Sequence, residues 1–491
     1  MDVLVVGAGV AGSMVAWKLA EAGLGVCLVE SGPRVHRAEA VERFLQGGEP
    51  YPDLREAPRP RSDDLNHHLH QAGPELFYGT YERRVGGSTW HWLGTTLRML
   101  EGDLRLQSRY GVGVDWPIAL ADVEPFYEQA EEQLGVAGPA GPLPPHRLTR
   151  VDRAVEAAAG RPIQALPQAR NSVNYDGRPA CCGSASCIPI CPIGAKYDAS
   201  VHATKALAAG ARLVTGTVCR LQARGSRVVA AELVGGERLS ADFFVVAANG
   251  IESPRLLLMS GLGGPQVGRH LMGATAQLSW ALANQPVDAY RGPQATAGFL
   301  DWRDGPHRSR HAGYVVSVAN DGWPHQTPPR LAERLIAEGL RGRALRAAVS
   351  DHLSRQVALV STCEELPLAE NRVTLARFRD GLGLPRPAVH YRVGEYTQRG
   401  LAPARAFHDE ILTRLGTQVG HSVGADSAYL VGACRMGNEP GQAVVDRNLC
   451  CFDHPNLMVV GQAVFPTTGT ATPTLTVAAL ALRLAEYVKS L

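Results

Sequence analysis

Residues 2–6 (DVLVV) are an unbroken apolar run, the pattern of a strand buried on both faces of a parallel sheet. A glycine turn follows. Apolar positions then recur at Ala11, Val15, Leu19 and Ala22, one stripe of a helix, before a second apolar run from Val26 to Val29 that ends in Glu30. This is a βαβ opening. Residues 35–80 are polar and dotted with proline; His67, His68 and His70 have a spacing that could ligate a metal, but a solvated loop fits them better. An amphipathic helix is predicted over 118–135, with Val123, Phe126, Tyr127, Ala130 and Leu134 on one face. Strands are predicted near 212–219 and 228–234, and a buried run at 243–250 (FFVVAANG) ends in another turn. Residues 276–445 alternate short β patterns with one helical stretch at 331–349, and the last 45 residues return to the opening style. There a strand, Leu457 to Val460, leads through a turn at Gly461 to a helix from Thr474 to the end. The fold class expected is α/β: a Rossmann-like dinucleotide-binding domain formed by 1–275 and 446–491, interleaved with a sheet-based α+β substrate domain over 276–445.

Composition narrows the partners. With 491 residues and 45% apolar content the chain can bury a large core, and its net charge is only +2. All but four of its 49 basic residues are arginine, yet no basic stripe alternates with aromatics, so nucleic acid is not an expected partner. No apolar run reaches the ~18 residues of a membrane span. The first strand starts at Asp2, which leaves no room for an export signal; by its own sequence the chain is expected in the cytoplasm, or in the periplasm if a partner bearing the signal carries it out.

Two motifs carry the chemistry. Gly7-Ala-Gly9-Val-Ala-Gly12 lies between strand and helix, and Glu30 follows eighteen residues after Gly12, where a carboxylate can hold the ribose hydroxyls of an adenosine. An adenine dinucleotide is therefore expected. A second glycine turn, Val85-Gly86-Gly87-Ser88-Thr89, precedes Trp90-His91-Trp92; the missing side chains would let backbone approach a cofactor. In a loop at about 175–197, Cys181, Cys182, Cys187 and Cys191 fall within eleven residues. Thiolates this close suit an iron–sulfur cluster, because one loop supplies several soft ligands. Zinc would more often show two Cys-x2-Cys pairs, and disulfides here would close very small loops; both stay open as alternatives.

Together with RRVGGSTWHW (83–92), DWPIALADVEPFYEQAEEQLGV (115–136), AANGIESPRLLLMS (247–260), VGRHLM (267–272), RGPQ (291–294), VVD (444–446) and HPNLMVVGQAVFPTTGTATPTLTVAALALRLAE (454–486), the fingerprint resembles the glucose-methanol-choline flavoprotein oxidoreductases over nearly the whole length. The segment RNSVNYDGRPACCGSASCIPICPIGAKY is similar to the catalytic subunits of bacterial membrane-associated sugar dehydrogenases. That resemblance implies FAD as the dinucleotide, a three-iron (3Fe-4S) cluster in the cysteine loop, a small chaperone-like subunit that carries the export signal, and a cytochrome c acceptor. It also implies that Gly86 and Gly87 meet the pyrophosphate or flavin edge, that Val218 lies beside the adenine, and that Gly461 and Gln462 approach the pyrophosphate and isoalloxazine. His91 falls where some relatives form a histidyl-flavin bond and others do not; packing or a hydrogen bond is the other reading.

One departure stands out. Alcohol-oxidising members place a histidine three residues before the glycine of a Gly-Thr-x-Arg-Met-Gly motif; here Tyr429 precedes Gly432-Ala-Cys-Arg435-Met-Gly437, and the partner position before Pro473-Thr474 is Thr472. An unperturbed tyrosine is only ~0.1% phenolate at pH 7, a penalty of roughly 4 kcal/mol on having the base ready. Tyr429 is then a tuned base, with Arg435 as a candidate cation to tune it, or a hydrogen-bond donor, or packing; His421 is a substitute base or an ordinary loop histidine. The leading expectation is a dehydrogenase of a CH–OH group in a sugar-like or alcohol substrate. A flavin enzyme of different chemistry, desaturating or oxidising a C–N bond, and a catalytically degenerate FAD-binding paralogue remain open beside it.

Overall fold

The computed structural model describes residues 1–46, 68–320, 326–425 and 429–491. A six-stranded sheet runs in the order Cys450–Cys451, His454–Val459, Phe243–Val246, Val3–Val6, Val26–Glu30, Arg212–Thr215. All its pairings are parallel except the one at the Cys450–Cys451 edge. Val3, Leu4, Val5, Phe244, Val245 and Leu457 are fully buried, which is why these strands read as unbroken apolar runs. Helices Val10–Glu21 and Pro473–Lys489 pack on one another beside this sheet, so the two ends of the chain close one domain. Gly12 permits the close approach of helix and strand: a Cβ there would lie 1.9 Å from the carbonyl oxygen of Gly7.

The expected strand at 212–219 is two strands. Arg212–Thr215 ends the parallel sheet, and Val218–Arg224 starts an antiparallel one with Arg227–Leu233 and Arg238–Leu239. The chain changes sheets at Gly216. The expected helix over 118–135 is a short turn at Leu120–Asp122 followed by the helix Glu124–Leu134, ended by Gly135 in the left-handed conformation.

The second large sheet is antiparallel, in the order Gly416–Ala425, Thr275–Ala283, Gln356–Cys363, Tyr314–Val318, Ala297–Phe299, Gln164–Ala165. It takes its edge strand from well before residue 276, and the helix Arg150–Ala159 joins the layer behind it. That layer is dominated by a 21-residue helix, Glu395–Leu415, where the sequence pattern showed none. Gly400 and Pro403 interrupt its pattern. Gly400 is there for contact, since a Cβ on it would come within 2.9 Å of the Ala312 Cβ. The helical stretch predicted at 331–349 is two helices, Pro328–Ala337 and Gly342–Arg355. A further helix, Arg37–Gln46, begins the segment read as a polar excursion; His67 lies outside the described residues, His68 stacks on Tyr81, and His70 pairs edgewise with Phe378. Among the described residues no helix is long and apolar enough to cross a membrane.

Candidate active site

One cavity of about 600 Å³ lies between the two large sheets and is walled by both. At its first end the strand Val3–Val6 delivers Gly7 and Gly9, and Val26–Glu30 delivers Glu30. Glu30 Oε2 accepts the Ala8 N–H at 2.8 Å, and Oε1 accepts the Gly32 N–H at 2.9 Å. Burial pushes its carboxyl pKa upward, and these backbone donors oppose the rise. The sheet change at Gly216 brings Thr217 and Val218 to the same end, with the Gly216 N–H bound to the Glu30 carbonyl at 2.8 Å.

The two glycine turns meet face to face. Gly87 is left-handed (φ +52°), and a Cβ on it would sit 3.2 Å from Gly9 Cα, whereas a Cβ on Gly9 would meet nothing within 4 Å. Gly9 therefore borders open space, a cradle of bare backbone that fits a pyrophosphate. Gly86 ties the turns together, its N–H donating to the Ala8 carbonyl at 2.8 Å. Ser88 lines the cavity, and its Oγ accepts the Glu82 N–H at 3.2 Å. His91 Nε2 stands 3.6 Å from Glu82 Oε1, while Glu82 Oε2 accepts Arg84 Nε at 2.8 Å.

The second end is one face of the antiparallel sheet. Register sets Leu278 beside Val360, and Ala276 and Val315 beside Thr362, all toward the cavity. In the edge strand Ser422 lines the cavity and His421, one residue earlier, does not. The two-residue period of a strand turns His421 to the back, where Nδ1 meets Ser279 Oγ at 3.0 Å and Nε2 meets Asp409 Oδ1 at 3.1 Å. That placement removes His421 from reach of a substrate. Tyr429 is buried and lines the cavity, as do Thr472, Gly461 and Gln462. Gln462 fastens the tyrosine's segment, accepting the Leu430 N–H on Oε1 and the Gly432 N–H on its carbonyl, each at 2.9 Å. The Thr472 hydroxyl donates to the Thr95 carbonyl at 2.8 Å. Arg435 is not in the cavity wall; it donates to the Gln442 carbonyl.

The cysteine loop abuts this cavity through Ile188, which lines it. Cys187 and Cys191 are buried, Cys181 is half-buried and Cys182 is exposed. N–H groups point at three of the sulfurs: Gly183 at Cys181 (3.4 Å), Arg170 Nη1 at Cys187 (3.2 Å) and Lys196 N at Cys191 (3.5 Å). Burial pushes the Cys181 thiol up, Arg170 opposes the rise, and Cys187 and Cys191 add to it. Among the described residues no group of three or more His, Cys, Asp or Glu side chains forms a ready metal cage. The loop is held by residues that motif reading did not single out. Gln294 accepts the Cys187 N–H at 3.1 Å and donates to the Ala185 carbonyl at 3.0 Å. The buried Lys196 ammonium donates to the carbonyls of Trp90 (2.7 Å) and Trp92 (2.8 Å), joining the loop to the His91 segment. Burial draws its pKa down to about 8, against the pull of the Cys187 and Cys191 sulfurs. Gln294 closes the RGPQ segment, the one sequence sign of this role.

Residues 2–141 match the family model described as FAD dependent oxidoreductase, and residues 367–481 match that described as GMC oxidoreductase. The chain is 33% identical to the fructose dehydrogenase large subunit of Gluconobacter japonicus, covering 99% of this chain and 97% of that one. The chain belongs to the GMC oxidoreductases. Within that family it is also 28% identical to the 2-methyl-1,2-propanediol dehydrogenase of Mycolicibacterium austroafricanum, over 99% of this chain and 95% of the relative. It is 29% identical to the paromamine 6'-oxidase of Streptomyces fradiae, over 99% and 91%. The crystal structure of pyridoxine 4-oxidase from Mesorbium loti shares the fold, with a TM-score of 0.67, 20% identity and coverage of 100% of this chain and 99% of that one. This GMC protein is an FAD-dependent oxidoreductase with a Rossmann-like sheet.

Proposed function

We propose that this protein is a dehydrogenase that oxidises the CH–OH group of an alcohol or sugar-like substrate, and that it holds an iron–sulfur cluster, of the three-iron type, through which the electrons taken from the substrate pass to an external acceptor. The observation that carries the reading is a shared cavity: the glycine cradle, Tyr429 and Ile188, the neighbour of Cys187, line one space. The names of the relatives, two of them dehydrogenases of hydroxyl compounds, point the same way.

Gly9 and Gly87 leave room for the dinucleotide phosphates, and Glu30, next to Thr217 and Val218, is placed to accept from ribose hydroxyls. The flavin supplies the hydride acceptor when bound. Tyr429 takes the part of proton carrier for the substrate hydroxyl, at its phenolic oxygen, and Gln462 holds its segment in place. Thr472 supports the cavity wall, its hydroxyl being engaged by Thr95. His421, on the back of the sheet, has no part in the chemistry. Cys181, Cys187 and Cys191 would hold the cluster, with exposed Cys182 the remaining thiol of the set; the N–H donors at three sulfurs are the surroundings an anionic thiolate needs. A cluster supplies one-electron transfer to an acceptor such as cytochrome c. A relative that is a large subunit supports a partner subunit for this chain; export to the periplasm in the company of a small partner that bears the signal belongs to the same proposal.

The test is anaerobic: the purified protein is mixed with alcohols and sugars, and flavin absorbance is followed. Bleaching by a hydroxyl substrate, with recovery on adding cytochrome c or ferricyanide, is expected. Bleaching only by amines, or recovery only with oxygen, would refute the reading.

A further inference from the structure

The charged residues among the described lining positions are Glu30, Glu82, Arg83, Glu252 and Arg255, and all belong to the dinucleotide side of the cavity. Each already has a partner. Glu30 holds the Ala8 and Gly32 amides, Glu82 holds Arg84, and Glu252 holds both Arg83 and Arg255. The sheet end carries no charge at all among the described residues. Its wall is the aliphatic patch of Ala276, Leu278, Val315 and Val360.

The polar groups there are few and mostly committed. The Asn320 amide is used at both ends, accepting the Ala295 N–H at 2.6 Å and donating to the Pro293 carbonyl at 2.9 Å. The Thr470 hydroxyl is bound to Asp103 and that of Thr472 to Thr95. The other side chains of this wall with a hydroxyl are Tyr429, Ser317, Thr362 and Ser422.

We infer that the substrate is an uncharged alcohol that lays an apolar ring or branched face on this sheet. The inference rests on the reading of the cavity as a hydroxyl-oxidising site and names its substrate class. An ammonium or carboxylate on the substrate would leave water with no counter-charge among the described residues of this wall to meet it. A fully hydroxylated sugar would turn several hydroxyls toward aliphatic carbon and lose their water partners without replacement. An apolar face loses nothing by the same transfer and gains the burial.

The experiment compares four probes by anaerobic flavin reduction in the intact protein: cyclohexane-1,2-diol, 2-aminocyclohexanol, 3-hydroxycyclohexanecarboxylate and fructose. The diol is expected to exceed each of the others in kcat/KM by about tenfold or more, as loss of one uncompensated charge or several hydroxyl contacts implies. A smaller margin, or a lead for fructose or either charged probe, overturns the inference and leaves hydroxyl oxidation standing. If none of the four bleaches a flavin that other alcohols or sugars do bleach, the inference falls alone; if no hydroxyl compound bleaches a flavin that dithionite does bleach, hydroxyl oxidation falls and the inference with it. A variant tests the counter-charge directly: Ser422→Asp, at an exposed edge-strand position, should raise the 2-aminocyclohexanol to diol ratio by roughly tenfold. An unchanged ratio in a folded, flavin-loaded variant counts against the inference.

Discussion

The hydroxyl of Thr472 donates to the backbone carbonyl of Thr95 at 2.8 Å and stands 3.3 Å from the Leu97 N–H. The residue that begins the helix Pro473–Lys489 thus fastens the segment after the Trp90-His91-Trp92 motif, and its polar atom is spent on the fold. Thr472→Val keeps the shape and deletes the hydroxyl. It should lower stability by roughly 1–3 kcal/mol through the stranded Thr95 carbonyl. Thermal melts check the first effect; flavin reduction that slows by less than about tenfold checks the second, that Thr472 acts by support.

Tyr429 makes the contrasting case. Its side chain lines the cavity, and its neighbours Leu430 and Gly432 are pinned by Gln462. Tyr429→Phe preserves the ring and removes the proton carrier, so flavin reduction should slow by about 10²-fold or more with FAD content unchanged. His421→Gln serves as the control at a position on the back of the sheet, where Ser279 and Asp409 hold the ring; it should leave the reduction rate within about threefold. Stopped-flow reduction of the two variants by one substrate decides both.

The sequence made the parallel sheet legible because its strands are buried on both faces, so that Val3–Val6 and Phe243–Val246 appear as bare apolar runs. The glycine cradle was legible for the same kind of reason: Gly9 and Gly87 are needed where backbone must meet a ligand or another turn. The helix Glu395–Leu415 was not. Gly400 is selected by close contact with Ala312 and Pro403 interrupts the period, so local pattern pointed away from a structure that tertiary packing enforces. The two readings of His421 could not be separated in the sequence because strand alternation decides its face, and its strand, Gly416–Ala425, contains three glycines that blur the alternation and give the segment the look of a loop. The grip of Gln294 on Cys187 joins residues 107 apart, a distance no motif can display.

Gly9 and Gly12 separate binding from folding. A Cβ at Gly9 meets no protein atom within 4 Å, while one at Gly12 would come 1.9 Å from Gly7 O. Gly9→Ala should therefore fold with the melting temperature of the wild-type apoprotein and lose FAD, the added methyl filling cofactor space. Gly12→Ala should fail to fold, or melt far lower, whether or not FAD is supplied. Flavin absorbance per mole and apoprotein melts distinguish the two; a Gly9→Ala protein with full flavin would contradict the cradle.

The pH response has an identifiable source in His202. Fully buried against Tyr197 and Gln133, its imidazole is pushed by burial down to about 3, with Lys205 and Arg178 pushing the same way. A base whose folded pKa is depressed stabilises the fold above its ordinary value near 6.5, and that stability drains as pH falls from there toward 3. The expected slope from this one group is roughly 1.4 kcal/mol per pH unit across the window. His202→Gln should be less stable at pH 7.5 but show a slope smaller by about one proton between pH 6 and 4. Urea unfolding at several pH values measures it, and parallel curves for the two proteins would be the contrary result.

The cysteine loop gives the last prediction, because the four thiols differ in environment. Cys187 and Cys191 are buried, each with an N–H donor at its sulfur, Cys181 is half-buried with the Gly183 amide, and Cys182 is exposed. If three of these hold a cluster, serine at Cys187 or Cys191 should abolish iron and acid-labile sulfide together with the broad visible absorbance, while flavin content stays near wild type. Cys182→Ser should keep most of its iron, since an exposed thiol next to an inward one is poorly aimed at the same centre. Arg170→Gln should keep the iron too but lower the cluster's reduction potential, because the guanidinium N–H at the Cys187 sulfur favours the more negative, reduced state. Iron and sulfide analysis and an EPR redox titration of the four variants read these effects separately. One zinc per chain and no iron in freshly purified wild-type protein would remove the cluster, and the delivery route built on it, from the reading.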